Sequence, residues 1–187
     1  SRRQRQMCIR DSYCGAHMEV IDMGIDADMS WVPGLRSHKL GMGTKNFVEE
    51  PAMTREQAIE GIETGIKLVQ EKMADGYNVF LVGEMGISNT TASALMTAKF
   101  AGLTAEEATG RGTNISDERL KLKQRIVHDV LVKYKDIPKD DAIGILAAVG
   151  GFEFTCIVGV ILGAAAHHGM VIIDGFNTSA CALVAKT

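Results

Sequence analysis

The stretch that decides the fold is "NVFLVGEMGISNTT", Asn78 to Thr91. An apolar run, Val79 to Val82, meets Gly83 and Glu84, and amide and hydroxyl side chains follow. A short apolar run closed by glycine reads as a strand covered on both faces. Asn and Thr after it read as a helix start, and Thr91 to Phe100 is a helix rich in small residues. The first turn of a helix carries unpaired N–H groups and a partial positive charge. Glycine before it lets a ligand approach the backbone closely. The turn therefore suits a phosphate. On this stretch alone a second reading stands beside it: a Ser/Asn/Thr cap on a surface helix, with Glu84 in water. The turn has neither the Gly-Lys-Ser/Thr ending of a Walker loop nor a G-x-G-x-x-G pattern. Glu84 is the odd member. A carboxylate beside a phosphate is repulsive unless it faces a cationic ring, a sugar hydroxyl or a transferable proton.

The same grammar recurs on either side. "MEVIDMGID", Met18 to Asp26, and "GMVIIDGFNTSACAL", Gly169 to Leu183, each run from an apolar strand into Asp and Gly. Helices lie between. Thr54 with Gln57 and Thr104 with Glu107 are capping boxes. Ala58, Ile62, Ile66 and Val69 recur at helical spacing up to Gly76. A helix capped by Ser116 or Asp117 runs to Tyr134, another reaches Gly150-Gly151, and Phe152 to His168 is a third. Gly34 to Phe47 reads as loop. Strands alternating with helices predict an α/β fold, three-layered, with a mostly parallel sheet covered by helices on both faces. The last helix has no stop signal at Thr187, so an incomplete domain is expected. Ligands of such sheets bind beyond the carboxyl ends of the strands. Three strand ends carry acid and glycine there: Asp22 to Gly24, Gly83-Glu84 and Asp174-Gly175.

Composition excludes several classes. With 187 residues, 46% apolar content and a formal charge of -3, the chain lacks the basic excess of a nucleic-acid binder. No apolar run reaches the roughly 18 residues of a membrane span; the longest, Phe152 to Ala166, carries Glu153. Cys8, Cys14, Cys156 and Cys181 match no zinc or disulfide spacing, which suits a reducing compartment. "CGAH", Cys14 to His17, offers two ligands without a matching pair, so no metal is expected. Residues 1–12 are basic and aperiodic and read as a non-native or disordered leader outside a domain spanning 13–187.

Taken in order, "GTKNFVEEPAMTREQA", "GEMGISNTT", "GRGTNISDERLKLK", "GGFEF" and "IIDGF" resemble the motifs of the nicotinate-nucleotide–dimethylbenzimidazole phosphoribosyltransferase family, from about Val20 to Thr187. The resemblance implies transfer of ribose phosphate from nicotinate mononucleotide to 5,6-dimethylbenzimidazole. The products are nicotinate and α-ribazole 5'-phosphate, a precursor of the cobalamin lower ligand. It further implies a cytoplasmic homodimer that needs no cofactor or bound metal. Carried over, Gly86, Ile87, Ser88, Asn89 and Thr90 take the phosphate through backbone N–H groups. Lys123 reaches the same phosphate, Gly110 and Gly112 pass close to the nucleotide, and Asp174-Gly175 line its nicotinate or ribose side. Glu84 stabilises positive charge on the ribose. Ser88 and Asn114 stand where the family commonly has glycine. The family's general base is a glutamate matched by no residue before Thr187, and its portion before Met18 shapes the benzimidazole pocket. The chain by itself is therefore expected to be inactive, and a nucleotide-binding module without catalysis is the alternative.

Ordinary readings stand beside these. Lys123 between Lys121 and Arg125 fits a solvated helix face. Glu153 reads as a first-turn acid favoured by the helix dipole, and His167-His168 as cations at a helix end. Arg36, His38 and Lys39 form a basic loop cluster.

Overall fold

The structure, a computed structural model, describes residues 15–86, 88–112 and 115–187. The leader at 1–12, Cys14, Ile87 and Asn114 lie outside them.

Helix α1, Arg55–Ala74, starts where the capping box predicts. Thr54 Oγ1 accepts from the Gln57 N–H at 3.1 Å, and Gln57 Oε1 accepts from the Thr54 N–H at 3.0 Å. Each bond satisfies a backbone donor that the helix cannot. Gly76, at φ 93, follows its end. Strand β1, Val20–Asp22, pairs in parallel with β2, Leu35–Ser37. The latter lies inside the segment read as loop; Leu-Arg-Ser is too short and too polar to carry an alternation signal. Strand β3, Val79–Leu81, leads to α2, Thr90–Ala101, and the short α3, Ala105–Ala108. The second capping box holds at Thr104. Helix α4, Asp117–Lys133, is capped by Ser116, α5 is Ala142–Val149 and α6 is Phe152–Ala166. Strand β4, Met170–Ile172, and α7, Gly175–Lys186, complete the order.

The predicted α/β class and parallel pairing hold. Among the described residues the strands form two parallel pairs, β1–β2 and β3–β4. Val79, Phe80 and Leu81 register with Met170, Val171 and Ile172. Alternate residues face opposite sides. Phe80 and Val171 are half-buried, whereas Val79, Leu81, Met170 and Ile172 are 44, 71, 61 and 45% exposed. Strands read as buried on both faces are thus covered on one.

The core lies among the helices. Leu95, Met96, Val127, Val130, Leu146, Phe154, Val158 and Val184 are buried together, from α2, α4, α5, α6 and α7. Helices α1 and α6 meet along glycines: a Cβ on Gly65 would lie 2.2 Å from the Cys156 carbonyl oxygen, and one on Gly159 2.0 Å from that of Ile62. Two strand–turn–helix units, β3–α2 and β4–α7, thereby stand side by side, their turns at one end.

Candidate functional site

Glu84 follows β3 and is half-buried. Its Oε2 accepts from the Gly86 N–H at 2.6 Å and from Asn89 Nδ2 at 2.5 Å, while Oε1 accepts from Asn177 Nδ2 at 2.6 Å. Asn89 stands at the N-cap position of α2 without making a side-chain capping bond, and Asn177 sits in the first turn of α7. The two turns thus clamp one carboxylate from opposite sides. Asn177 Nδ2 also donates to Asn89 Oδ1 at 3.0 Å, Ser93 Oγ donates to Asn177 Oδ1 at 2.7 Å, and Asn89 Nδ2 reaches Glu153 Oε1 at 3.0 Å. Three donors fix both oxygens of Glu84, so its charge is held in one place rather than swinging in water.

Beside this cluster, Lys123 comes from α4 to the turn that opens α2. Its Nζ donates to Thr90 Oγ1 at 3.0 Å. A Cβ on Gly112, at φ 63, would lie 3.7 Å from Thr90 Oγ1 and 4.0 Å from Lys123 Nζ. The glycine turn, the lysine and the α2 start therefore converge, and the solvated-face reading of Lys123 gives way. Burial pulls the Lys123 pKa below its ordinary value. The glycine turn is braced by Arg111, which pairs with Asp117 and donates to the Ile115 carbonyl at 3.2 Å.

The other sequence-predicted residues sort as follows. Gly86 and Ser88 are exposed, and Ser88 has φ 64, a conformation that suits the glycine expected there from the motif. The Gly86 N–H faces Glu84 rather than open space, so of the amides assigned to a phosphate this one is already engaged. Gly110 is exposed, with nothing within 4 Å of an added Cβ. Asp174 is exposed at the head of α7; its carbonyl accepts from Thr178, and Gly175 follows at φ 78. Asp22, the last residue of β1, serves the loop that follows it. It is fully buried, accepts from the Gly24 and Ile25 N–H groups at 3.0 and 2.8 Å, and pairs with Lys39 at 3.2 Å. Arg36 is likewise taken, by Glu19 and Glu71 at 3.1 and 2.8 Å. Arg36 and Lys39 of the basic loop cluster thus brace the chain itself.

Two members of the cluster are absent from the sequence assignment: Asn177, and Glu153 as more than a dipole acid. Asn-Thr in "SNTT" and again in "FNTS" is the signal that pairs Asn89 with Asn177. No local signal links Glu153 to either. Below them lies Cys181, buried in α7, its thiol pushed far up by burial and further by the charges of Glu153 and Glu84. Burial also raises Cys156, to about 11. Both thiols should resist alkylation in the folded protein: a thiol reagent at neutral pH should leave them unmodified until denaturant is added, which mass spectrometry reads directly. An apolar hollow lined by Leu95, Val130, Ile145 and Val149 shares no residue with the Glu84 cluster.

A family model described as phosphoribosyltransferase matches residues 7–187. The nicotinate-nucleotide–dimethylbenzimidazole phosphoribosyltransferase of Geotalea uraniireducens is 44% identical over 174 residues, covering 93% of this chain and 49% of the relative. That of Geobacter sulfurreducens is 46% identical over 173 residues, covering 92% and 49%. Among solved structures, CobT from Thermus thermophilus superposes with a TM-score of 0.87 at 32% identity, over 94% of this chain and 52% of that one. The chain spans about half the length of the curated relatives it matches. It belongs to the nicotinate-nucleotide–dimethylbenzimidazole phosphoribosyltransferase family.

Proposed function

We propose that this chain carries the nucleotide-binding part of an enzyme that transfers ribose phosphate from nicotinate mononucleotide to 5,6-dimethylbenzimidazole. The bond from C1' to the nicotinate nitrogen breaks, and a bond from C1' to the benzimidazole nitrogen forms. Nicotinate leaves, the benzimidazole N–H proton passes to a base, and α-ribazole 5'-phosphate results. The single observation that carries this reading is the meeting of Lys123 Nζ with Thr90 Oγ1 beside Gly112. An ammonium, a hydroxyl and a helix start together suit a phosphate. Glu84, held by three donors, supplies the opposite charge where the ribose becomes cationic as the C–N bond breaks. Fixed charge of this kind acts without reorganising during reaction. Gly110, Asp174 and Gly175 border the same nucleotide in this reading. A homodimer in the cytoplasm accompanies it, as the family resemblance implies.

The test is calorimetric titration of the chain with nicotinate mononucleotide and, separately, with ATP-magnesium. Nicotinate mononucleotide should bind better, and Lys123→Ala should weaken it by about 10- to 100-fold, the worth of a hydrogen bond to a charged group. A preference for ATP-magnesium, or full affinity in Lys123→Ala, defeats the reading. Binding that persists in a full-length protein without release of nicotinate favours a non-catalytic nucleotide-binding module.

Titration adds a sign. In the ligand-free protein, partial burial of Lys123 disfavours its charge. That cost to stability is present below the folded pKa and disappears as pH rises through the ordinary lysine value. A bound phosphate favours the charge instead. Affinity should therefore be highest below the lowered pKa and fall as pH rises through it, at lower pH than an exposed lysine would give. An affinity profile that stays flat to about pH 10, near the ordinary lysine value, would remove Lys123 from the phosphate site.

A further inference from the structure

We propose that Glu153 is a positioning residue for the transfer reaction: through Asn89 it fixes the carboxylate of Glu84. The kinetic half of this inference rests on the phosphoribosyl-transfer reading; the geometric half stands without it.

A side-chain amide has two N–H donors on its nitrogen and one acceptor oxygen. Asn89 Nδ2 gives its donors to Glu84 Oε2 and Glu153 Oε1, and its Oδ1 accepts from Asn177. Asn177 Nδ2 gives its donors to Glu84 Oε1 and Asn89 Oδ1, and its Oδ1 accepts from Ser93. Every donor and acceptor of both amides has a partner. The orientation of the Asn89 amide decides which of its atoms meets Glu84. Turned over, its oxygen would face carboxylate oxygens and its nitrogen would face the nitrogen of Asn177. With Glu84 alone the turned state loses one charged contact; with Glu153 it loses two. Glu153 therefore doubles the charged contacts that favour the productive orientation, and so reinforces the hold of Asn89 on Glu84.

The space around Glu153 supports a placed carboxylate. A Cβ on Gly86 would lie 2.7 Å from Glu153 Oε1 and 2.2 Å from Asn89 Nδ2, and one on Gly151 2.6 Å from Glu153 Oε2. Two glycines from different segments clear the volume that this side chain and its partner occupy. A first-turn acid that only complements a helix dipole needs no such clearance and would lie in water. Glu153 is half-buried and turned toward the β3–α2 turn instead. It also ties α6 to the β3–α2 turn through Asn89, so the carboxylate of Glu84 is referenced to the core helix and not only to loops.

The test compares Glu153→Gln with Glu153→Ala. Glutamine keeps an acceptor oxygen for Asn89; alanine does not. In a full-length protein carrying this segment, Glu153→Ala should lower kcat by about 10- to 100-fold while the KM for nicotinate mononucleotide stays within about threefold. Glu153→Gln should restore kcat to within about threefold of the unsubstituted protein. The second readout uses this chain itself, labelled with nitrogen-15. The two Asn89 side-chain amide protons should be widely separated and slow to exchange in the unsubstituted and Gln forms, and should collapse in the Ala form. Unchanged kcat in Glu153→Ala overturns the proposal, as does a Gln form no better than Ala, or Asn89 amide signals indifferent to both. If the unsubstituted full-length protein releases no nicotinate, the transfer reading falls; the amide signals then still decide whether Glu153 holds Asn89.

Discussion

In a full-length protein carrying this segment, Glu84→Gln should lower turnover by about 1,000-fold, with nicotinate mononucleotide still bound. The size follows from two losses. Removing one preorganised electrostatic group from a site where charge develops costs about 10²- to 10³-fold. The amide cannot stand in for the acid geometrically either. Both oxygens of Glu84 accept N–H bonds, Oε1 from Asn177 and Oε2 from Gly86 and Asn89. Whichever end of glutamine carries the NH₂ group, a donor meets a donor, and a half-buried N–H is left unpaired at about 1–3 kcal/mol. Release of nicotinate in a single turnover measures the first loss, and thermal melting of this chain measures the second. Turnover within about tenfold of the parent, below the range such groups contribute, would mean that Glu84 is only a loop staple.

The second large effect is on the fold. Gly159→Ala should destabilise the chain by about 3 kcal/mol or more, at the upper end of overpacking costs, despite the gain of about 1 kcal/mol in helix propensity. The added Cβ would lie 2.0 Å from the Ile62 carbonyl oxygen and 2.9 Å from the Gly65 Cα. Both are backbone atoms of a helix and cannot turn aside as a side chain would. Gly61 and Gly65 on α1 face Thr155, Cys156 and Gly159 on α6, so the two helices touch backbone to backbone. Urea unfolding should show the loss as a lower midpoint. Gly83→Ala is the control, since nothing lies within 4 Å of its added Cβ. Equal stability of the two variants would mean that α1 and α6 separate freely.

Local chemistry made much of this legible. The capping boxes at Thr54 and Thr104 form as read, because both partners lie three residues apart and need no distant contact. The turn after β3 and the reach of Lys123 to it follow from the family motifs. Contacts that join distant segments were not legible. Asn177 meets Glu84 across 93 residues, and Asn89 meets Glu153 across 64. A polar residue at a helix start has a sufficient local explanation as a cap or dipole partner, so nothing in the sequence called for a second role. Helix-interior glycines carry the same ambiguity: propensity counts Gly65 and Gly159 as weaknesses, whereas packing makes them the contact. The acid at Asp22 misled by analogy. It shares the strand-end position of Glu84, but Lys39 and two backbone amides of its own loop claim it.

The uncovered side of β3–β4 governs how a polypeptide of this span behaves in the tube. Val79, Leu81, Met170 and Ile172 face water from adjoining ribbons, and such a greasy, flat surface invites lateral stacking of one molecule on the next. Colloidal behaviour, more than melting, then sets the concentration at which it can be handled, and Leu81→Lys should raise that ceiling without touching the helices beneath.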